Sequence, residues 1–220
     1  MQTQQVAVIV DLVDSRRIED RRATQAAILL AFAGVTDVDG NTQPLHATVG
    51  DEFQAVYPTL EVALEGTLLA RLALPAGVDC RFGLGLGEVV DVGEGAGGAI
   101  QDGSAWWCAR EAIDEAHARE DGRTPSLRSW FRSVHTDNAS VDINYAQQSL
   151  VNAYLLARDQ VVGAMTDRAR RLAFGTMIGR SQAELANLEG ITQSAVSQSL
   201  RRSGGASLIA AIEELRTGRP

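Results

Sequence analysis

The sequence predicts an α+β fold in which helices cover one face of a mostly antiparallel sheet, followed by an all-helical segment. A continuous apolar run typical of a fully buried strand ends at Asp11. A tight turn at residues 50–51 separates two stretches with strand patterning, as in a hairpin. Apolar residues recur at helical spacing over residues 146–177. We therefore predict two domains, residues 1–144 and residues 145–220.

The predicted elements of the first domain alternate between strands and helices. Ser15 is expected to cap a first helix that ends at Gly34. The hairpin occupies residues 48–57, and its returning strand alternates apolar and polar side chains. A second helix is expected over residues 60–72, and a strand over residues 78–92. The hairpin within this order sets the chain apart from a doubly wound fold.

Glycines recur in the last predicted strand and in the loop that follows it. Gly83, Gly85 and Gly87 occupy every second position of a predicted strand, so one of its faces has no side chains. Glycine within a strand often marks the close approach of a ligand or of another backbone. Residues 93–104 contain five further glycines and are expected to form a loop that serves as a mobile arm or a crossover. The alternative is a loop that cradles phosphate.

A helix is predicted from about residue 105 to residue 117, and it begins with two tryptophans. Trp106 and Trp107 are adjacent and cannot share one helical face. We expect one of them to pack on the core and the other on a partner subunit or a ligand base. Residues 118–144 are polar and are expected to be irregular.

Charge is distributed unevenly along the chain. Residues 1–155 hold 11 Arg and 22 acidic residues, a net charge of −11, whereas residues 156–220 hold 9 Arg and 6 acidic residues, a net charge of +3. An acidic region suits metal ions, and a mildly basic tail suits a polyanion. Neither a membrane-spanning run of about 20 apolar residues nor a signal peptide is visible, which predicts a cytoplasmic protein that does not bind membranes. Cys80 and Cys108 are expected to be buried thiols.

Two carboxylates are the candidate metal ligands. Asp11 ends the buried strand, and Asp51 lies at the tip of the hairpin. Mg²⁺ is usually held by one or two carboxylates together with substrate phosphate oxygens and water, so this pair would be sufficient for Mg²⁺ or Mn²⁺. The alternative is that both residues are solvated loop carboxylates.

Four segments carry a resemblance to class III nucleotidyl cyclases, namely VAVIVDLVDS (6–15), TVGDEFQAVY (48–57), CRFGLGLGEVV (80–90) and, more weakly, DGSAWWCAREAI (102–113). With its C-terminal helical segment the chain also resembles the SatD family of small bacterial proteins. The cyclase resemblance implies a ferredoxin-like core, a head-to-tail homodimer, and metal ions held by Asp11 and Asp51 against a nucleotide. The residues it places at the nucleotide are Gly50, Asp51, Gly85, Gly87 and Trp106.

The chain departs from the cyclase pattern at two positions. Ala47 stands where the family has a base-reading lysine, and Trp106 stands where it has a transition-state asparagine. Arg110 matches the catalytic arginine. Because losing one transition-state donor typically costs about 10² to 10³ in rate, we expect a site that binds a nucleotide without efficient turnover. A weakly active nucleotidyl cyclase is the alternative.

Residues 180–204 have the spacing of a helix-turn-helix. Ser181 is expected to cap a first helix, Gly190 to form the turn, and Thr192 to cap a second helix that buries Val196 and Leu200. The residues expected to contact double-stranded DNA are the two capping residues, Ser181 and Thr192, together with Gln193, Ser194, Ser197, Gln198, Arg201 and Arg202. A plain helical hairpin is the alternative.

These features together predict a cytoplasmic, homodimeric, DNA-binding transcriptional regulator whose degenerate cyclase-like domain senses a nucleotide with a divalent metal. A weakly active cyclase is the second hypothesis. A dimeric scaffold with neither activity is the third.

Overall fold

A computed structural model describes residues 4–15, 20–39, 43–48, 52–95, 98–134 and 141–217. The strands are β1 Gln5–Leu12, β2 Gln43–Ala47, β3 Glu52–Tyr57, β4 Cys80–Gly87, β5 Val90–Gly95, β6 Gly98–Asp102 and β7 Ser129–Ser133. The helices are α1 Arg21–Asp39, α2 Leu60–Ala73, α3 Ser104–Glu120, α4 Val141–Gly163, α5 Asp167–Met177, α6 Gln182–Glu189, α7 Gln193–Arg202 and α8 Gly205–Thr217.

The main sheet has five strands in the order β2-β3-β1-β4-β7. Its first four strands are antiparallel, and β1 lies at the centre, where Val8 is opposite Ala55 of β3 and Leu84 of β4. This is the βαββαβ order of a ferredoxin-like core. The fifth strand, β7, adds in parallel to β4 and makes the sheet mixed. The predicted α+β class and central hairpin are therefore confirmed.

Helices cover both faces of this sheet, so the expectation that they cover one face is wrong. Side chains of β1 alternate between the two faces. Val8 belongs to the core that includes Ile28 of α1 and helix α2, whereas Ile9 packs with Ala109 of α3 on the opposite face. The continuous apolar run of β1 is explained by this double burial.

Helix α3 comes unusually close to the sheet at the glycines of β4. A Cβ atom on Gly85 would overlap the carbonyl oxygen of Ala105 and the amide nitrogen of Ala109. A Cβ atom on Gly83 would lie 2.6 Å from the amide nitrogen of Ile113. The side-chain-free face of β4 is therefore occupied by the backbone of α3.

The first helix differs from its predicted limits. Helix α1 begins at Arg21 rather than near Ser15, because the Oδ1 atom of Asp20 accepts a hydrogen bond of 2.9 Å from the backbone N–H of Ala23. It also continues through Gly34 to Asp39, since a single glycine weakens a helix by only about 1 kcal/mol.

The glycine-rich stretch forms a ribbon rather than the predicted loop. Strands β5 and β6 pair with each other in antiparallel fashion and form a sheet of their own. Val92 and Ile100 on this ribbon are more than half exposed. The ribbon is therefore an arm with an apolar surface.

Strand β7 was not predicted, because residues 118–144 were expected to be irregular. Trp130 and Phe131 are buried in this short strand. The side chain of Asn152 on α4 accepts a hydrogen bond of 2.8 Å from the N–H of Phe131 and donates one of 3.0 Å to its carbonyl. Helix α4 thereby satisfies backbone groups at the open edge of the sheet.

The predicted long helix of residues 146–177 is two helices, α4 and α5, and Thr166 caps the second by accepting a hydrogen bond from the N–H of Ala169. Leu68, Leu69 and Leu72 of α2 share one hydrophobic core with helices α5 to α8. Helix α2 therefore lies between the sheet and the C-terminal helices. The domain boundary at residues 144/145 stays a prediction. Within the described residues, none of the helices combines the length and the apolar character that crossing a bilayer requires.

The cysteines agree with the expected buried thiols. Cys80 is buried and Cys108 is partly buried, and both are free. Burial raises the pKa of the Cys108 thiol to about 11 and the pKa of the Cys80 thiol further. Both therefore remain protonated and unreactive near neutral pH.

Gly85→Ala should destabilise the protein by about 3 kcal/mol or more, because the added methyl group meets helix backbone that cannot move alone. Gly93→Ala is the matched control, since a Cβ atom there would approach only Ile100, at 4.0 Å. Urea unfolding followed by circular dichroism measures both. Similar free energies of unfolding for the two variants would contradict the close packing of α3.

Candidate functional site

Two carboxylates face each other on the sheet surface that α3 covers. Asp11 at the end of β1 is paired in register with Glu52 at the start of β3, so their side chains lie on the same face. Like charges at such positions repel. Arg81 offsets this with an ion pair of 3.2 Å to Asp11, and Arg110 of α3 does so with an ion pair of 2.7 Å to Glu52. The result is an acidic pair held between two guanidinium groups.

The electrostatics of Asp11 reflect partial burial. Its side chain is 40% exposed. Burial raises the pKa of the Asp11 carboxyl above its ordinary value, and the charge and hydrogen bond of Arg81 oppose that rise. Arg81 therefore helps to keep Asp11 ionised, which any role as a cation ligand requires.

The predicted partner of Asp11 cannot be placed, because Gly50 and Asp51 lie outside the described residues. Among the residues that are described, no three His, Cys, Asp or Glu side chains form a metal-binding group. Glu52 is a carboxylate beside Asp11 that sequence reasoning missed, and the strand register was the signal that could have found it. Asp11 with Glu52 or Asp51 would supply the one or two carboxylates that Mg²⁺ takes.

A cleft of about 410 Å³ opens beside this acidic pair, and we call it the tryptophan cleft. Its lining residues are Ile9, Gln54, Gln101, Trp106, Trp107 and Arg110. The volume lies within the range typical of small-molecule sites. Because Arg110 lines the cleft and also pairs with Glu52, the cleft and the carboxylates form one continuous site.

Two buried polar atoms in this cleft have no hydrogen-bond partner in the described structure, the Nε1 donor of Trp106 and the Oε1 acceptor of Gln101. The orientation of the Gln101 amide is set by its nitrogen, which donates a hydrogen bond of 3.0 Å to Asp91. Buried polar groups in native proteins are nearly always paired, since an unpaired one costs about 1–3 kcal/mol. Both residues line the cleft, so a ligand there would lie near one unpaired donor and one unpaired acceptor.

The two tryptophans point to different surroundings, as predicted. Trp106 is 8% exposed and packs with Ala7 and Ile9 of β1. Trp107 is 62% exposed, and its indole N–H donates a hydrogen bond of 3.0 Å to Asp102. Trp107 therefore presents an oriented ring at the mouth of the cleft, where a ligand or a second subunit can contact it.

The predicted nucleotide-binding glycines of β4 lie beneath α3. A Cβ atom on Gly87 would be 2.7 Å from the backbone nitrogen of Ala105, and Gly85 is similarly covered. Packing of α3 accounts for the missing side chains at both positions. A nucleotide contact at Gly85 or Gly87 stays a prediction.

The C-terminal segment contains two short helices, α6 and α7, joined at Gly190, whose φ of 64° is the left-handed conformation that glycine adopts easily. Ser181 and Glu184 form a reciprocal capping box at α6, and these hydrogen bonds lower the pKa of Glu184. Thr192 accepts a hydrogen bond of 3.2 Å from the N–H of Ala195 and caps α7. The predicted capping roles of Ser181 and Thr192 are confirmed.

Helix α7 buries Val196 and Leu200, as predicted, and exposes a polar surface. Within the predicted DNA-contacting set, Ser197 is partly buried, and the other members are exposed, namely Ser181, Thr192, Gln193, Ser194, Gln198, Arg201 and Arg202. In α6, Leu185 and Ala186 are buried, whereas Ala183 and Leu188 are exposed.

Comparison with known proteins gives a family and a set of partial structural likenesses. The model of the SatD family matches residues 5–209. None of the curated proteins matches the sequence.

Several solved structures that resemble the chain are nucleotidyl cyclases. A bacterial light-regulated adenylyl cyclase is 12% identical with a TM-score of 0.41, over 53% of this chain and 72% of that one. The guanylate cyclase domain of RhGC from Catenaria anguillulae, in complex with GTP, is 16% identical with a TM-score of 0.41, over 51% and 73%. The guanylyl cyclase Cya2 is 12% identical with a TM-score of 0.40, over 56% and 82%. Because these structural similarities are partial, they assign neither an activity nor site residues to the chain.

Arg81→Gln should raise the pKa of Asp11 further, because the nearby guanidinium favours the ionised carboxyl. The negative charge of Asp11 would then be lost at a higher pH than in the wild-type protein. Carbon NMR of the Asp11 carboxyl, followed as a function of pH, measures this. Arg110→Gln is the control, because Arg110 bonds Glu52 instead. An unchanged Asp11 pKa in Arg81→Gln would contradict the ion pair.

Proposed function

The chain belongs to the SatD family, and we propose that it binds a nucleoside triphosphate with Mg²⁺ or Mn²⁺ in the tryptophan cleft. The observation that carries this proposal is the unpaired buried donor of Trp106 and acceptor of Gln101 in one cleft. A nucleobase is planar, and its edge carries hydrogen-bond donors and acceptors. It would therefore satisfy both atoms while its ring lies against indole.

The groups beside the cleft suit the rest of a nucleotide. Arg110 is half exposed, and its guanidinium is the type of group that binds phosphate oxygens. Asp11, with Glu52 or Asp51, would hold the divalent cation, which neutralises phosphate charge when it is bound. Arg81 opposes the rise that burial causes in the pKa of Asp11 and so favours the ionised form.

We do not expect the protein to turn over the bound triphosphate efficiently. Trp106 occupies the position of the asparagine in the cyclase pattern, and Arg110 is held by Glu52. A weakly active nucleotidyl cyclase is the second candidate, favoured by the position of Arg110 in the cleft. Incubation with each triphosphate and Mg²⁺ or Mn²⁺, followed by mass detection of cyclic products, separates the two candidates.

The proposal extends to double-stranded DNA, which helix α7 would contact as part of a transcriptional regulator. Gln193 and Gln198 are exposed amides that can bond base edges, and Arg201 and Arg202 are exposed cations in its last turn. Within the described residues neither arginine is ion-paired, so both are available to phosphates.

A homodimer would present two copies of α7. The apolar side chains of Trp107 on α3 and of Val92 and Ile100 on the ribbon are each more than half exposed, which supports contact with a second subunit. Two copies of α7 would double the phosphate contacts that a single small module makes.

Trp106→Phe and Gln101→Met should each weaken triphosphate binding by about 10-fold, because each removes one hydrogen bond. Gln101→Met keeps a side chain of similar size, and Trp106→Phe keeps an aromatic ring. Isothermal titration calorimetry with ATP, GTP, CTP and UTP, each with Mg²⁺, measures this. The double variant Arg201→Gln/Arg202→Gln is the control and should bind like the wild type. Absence of binding of all four triphosphates at millimolar concentration would contradict the nucleotide proposal.

The double variant Arg201→Gln/Arg202→Gln should weaken binding to a random-sequence DNA duplex and lower the slope of log Kd against log salt by about 2, since two phosphate contacts are lost. Fluorescence anisotropy at several salt concentrations measures the slope. Arg123→Gln, at an exposed position in the first domain, is the matched control.

An unchanged slope in the double variant would remove α7 as the DNA-binding element. Repeating the wild-type titration with the triphosphates tests whether the two sites communicate. Absence of both nucleotide and DNA binding would leave the dimeric scaffold as the function.

A further inference from the structure

A second cleft lies where helix α2 of the first domain meets helices α5 and α6. Its volume is about 480 Å³, and we call it the arginine cleft. Its walls are largely apolar: Leu74 and Pro75 follow α2, Phe174 comes from α5, and Leu188 comes from α6. Leu188 is 65% exposed, so a large aliphatic side chain stands open at the rim. The volume is sufficient for a small organic molecule.

Three arginines line this cleft together with two carboxylates. Arg171 forms two hydrogen bonds of 2.7 Å with Glu189, and Arg170 forms an ion pair of 2.6 Å with Asp167. Arg180 has no ion pair or side-chain hydrogen bond with any described residue. The lining therefore holds one more positive than negative charge, and the charge of Arg180 also contributes to lowering the pKa of Glu184, which lies outside the lining.

A second observation indicates a missing acceptor. The Nε atom of Arg170 is buried and has no hydrogen-bond partner among the described residues. Arg170 lines both this cleft and a smaller cavity of about 290 Å³. An unpaired guanidinium N–H away from water is costly, and a carboxylate oxygen is the acceptor that satisfies it best.

We infer that the arginine cleft binds an amphipathic monoanion, a carboxylate with an aliphatic or aromatic body. The excess of one positive charge in the lining matches one carboxylate and would leave a polyphosphate largely unneutralised. The apolar walls match a hydrocarbon body. Arg180 would pair with the carboxylate, while Leu188 and Phe174 would cover the body.

A ligand bound in the arginine cleft would connect two parts of the fold. A molecule in contact with both Pro75 and Leu188 would join the end of α2 to α6, which is packed with α7. Binding would thus tie the first domain to the C-terminal helices. This inference does not depend on nucleotide binding in the tryptophan cleft, because the two clefts share no lining residue.

Octanoate, used below its micelle concentration, tests the inference against 1-octanol, which has the same chain without the charge. Isothermal titration calorimetry with the full chain should show saturable octanoate binding. Arg180→Gln should weaken octanoate binding by about 10-fold and leave 1-octanol binding unchanged, because only the carboxylate uses the guanidinium. Leu188→Ser, at an exposed position, should weaken the binding of both compounds.

Arg123→Gln is the matched control and should bind both compounds like the wild type. The inference is overturned if octanoate does not bind at millimolar concentration, if octanoate and 1-octanol bind equally to wild type and Arg180→Gln, or if Arg180→Gln weakens only DNA binding. Because Arg180 and Leu188 are exposed, both variants should fold. Circular dichroism confirms folding before the titrations.

Discussion

The close packing of α3 on the side-chain-free face of β4 determines the geometry of the candidate site. Because Gly83, Gly85 and Gly87 leave room for helix backbone, α3 lies deep enough for Trp106 to pack on β1. The same placement brings Arg110, one turn further along the helix, to Glu52 on β3. A bulkier strand face would lift the helix and separate these groups. The glycines therefore shape the tryptophan cleft without lining it.

Helix α2 connects the sheet to the C-terminal helices, and its buried charges make that connection specific. Arg71 forms an ion pair of 2.8 Å with Asp159 of α4, and Glu65 bonds Arg216 of α8. Removing one partner of such a pair would leave an uncompensated buried charge, at a cost of about 3–5 kcal/mol. The two parts of the chain are thus held in one arrangement, which signalling between the two clefts and α7 would require.

Local patterns in the sequence predicted the elements whose burial is regular. The run ending at Asp11 and the hairpin are visible because period-two alternation and turn residues are local signals. Strand β7 was missed because it has only five residues and is formed by pairing with a distant strand, β4. Its Ser129 pairs with Phe82, which is 47 residues earlier in the chain. Glu52 and Gln101 were missed for the same reason, since strand register and ribbon pairing place them at the site. The opposite surroundings of Trp106 and Trp107 were predictable because adjacent helical residues diverge.

The electrostatics of the C-terminal segment follow from which arginines are already paired. Arginines 158, 168, 170, 171 and 216 each form an ion pair with a carboxylate of the chain. Among the described residues of this segment, Arg180, Arg201 and Arg202 form none. The guanidinium groups without an ion pair among the described residues of this segment therefore lie at two places, one at the arginine cleft and two at the end of α7. An approaching anion is attracted to guanidinium groups that have no ion pair. A carboxylate would therefore be directed to the arginine cleft, and a DNA phosphate to the end of α7.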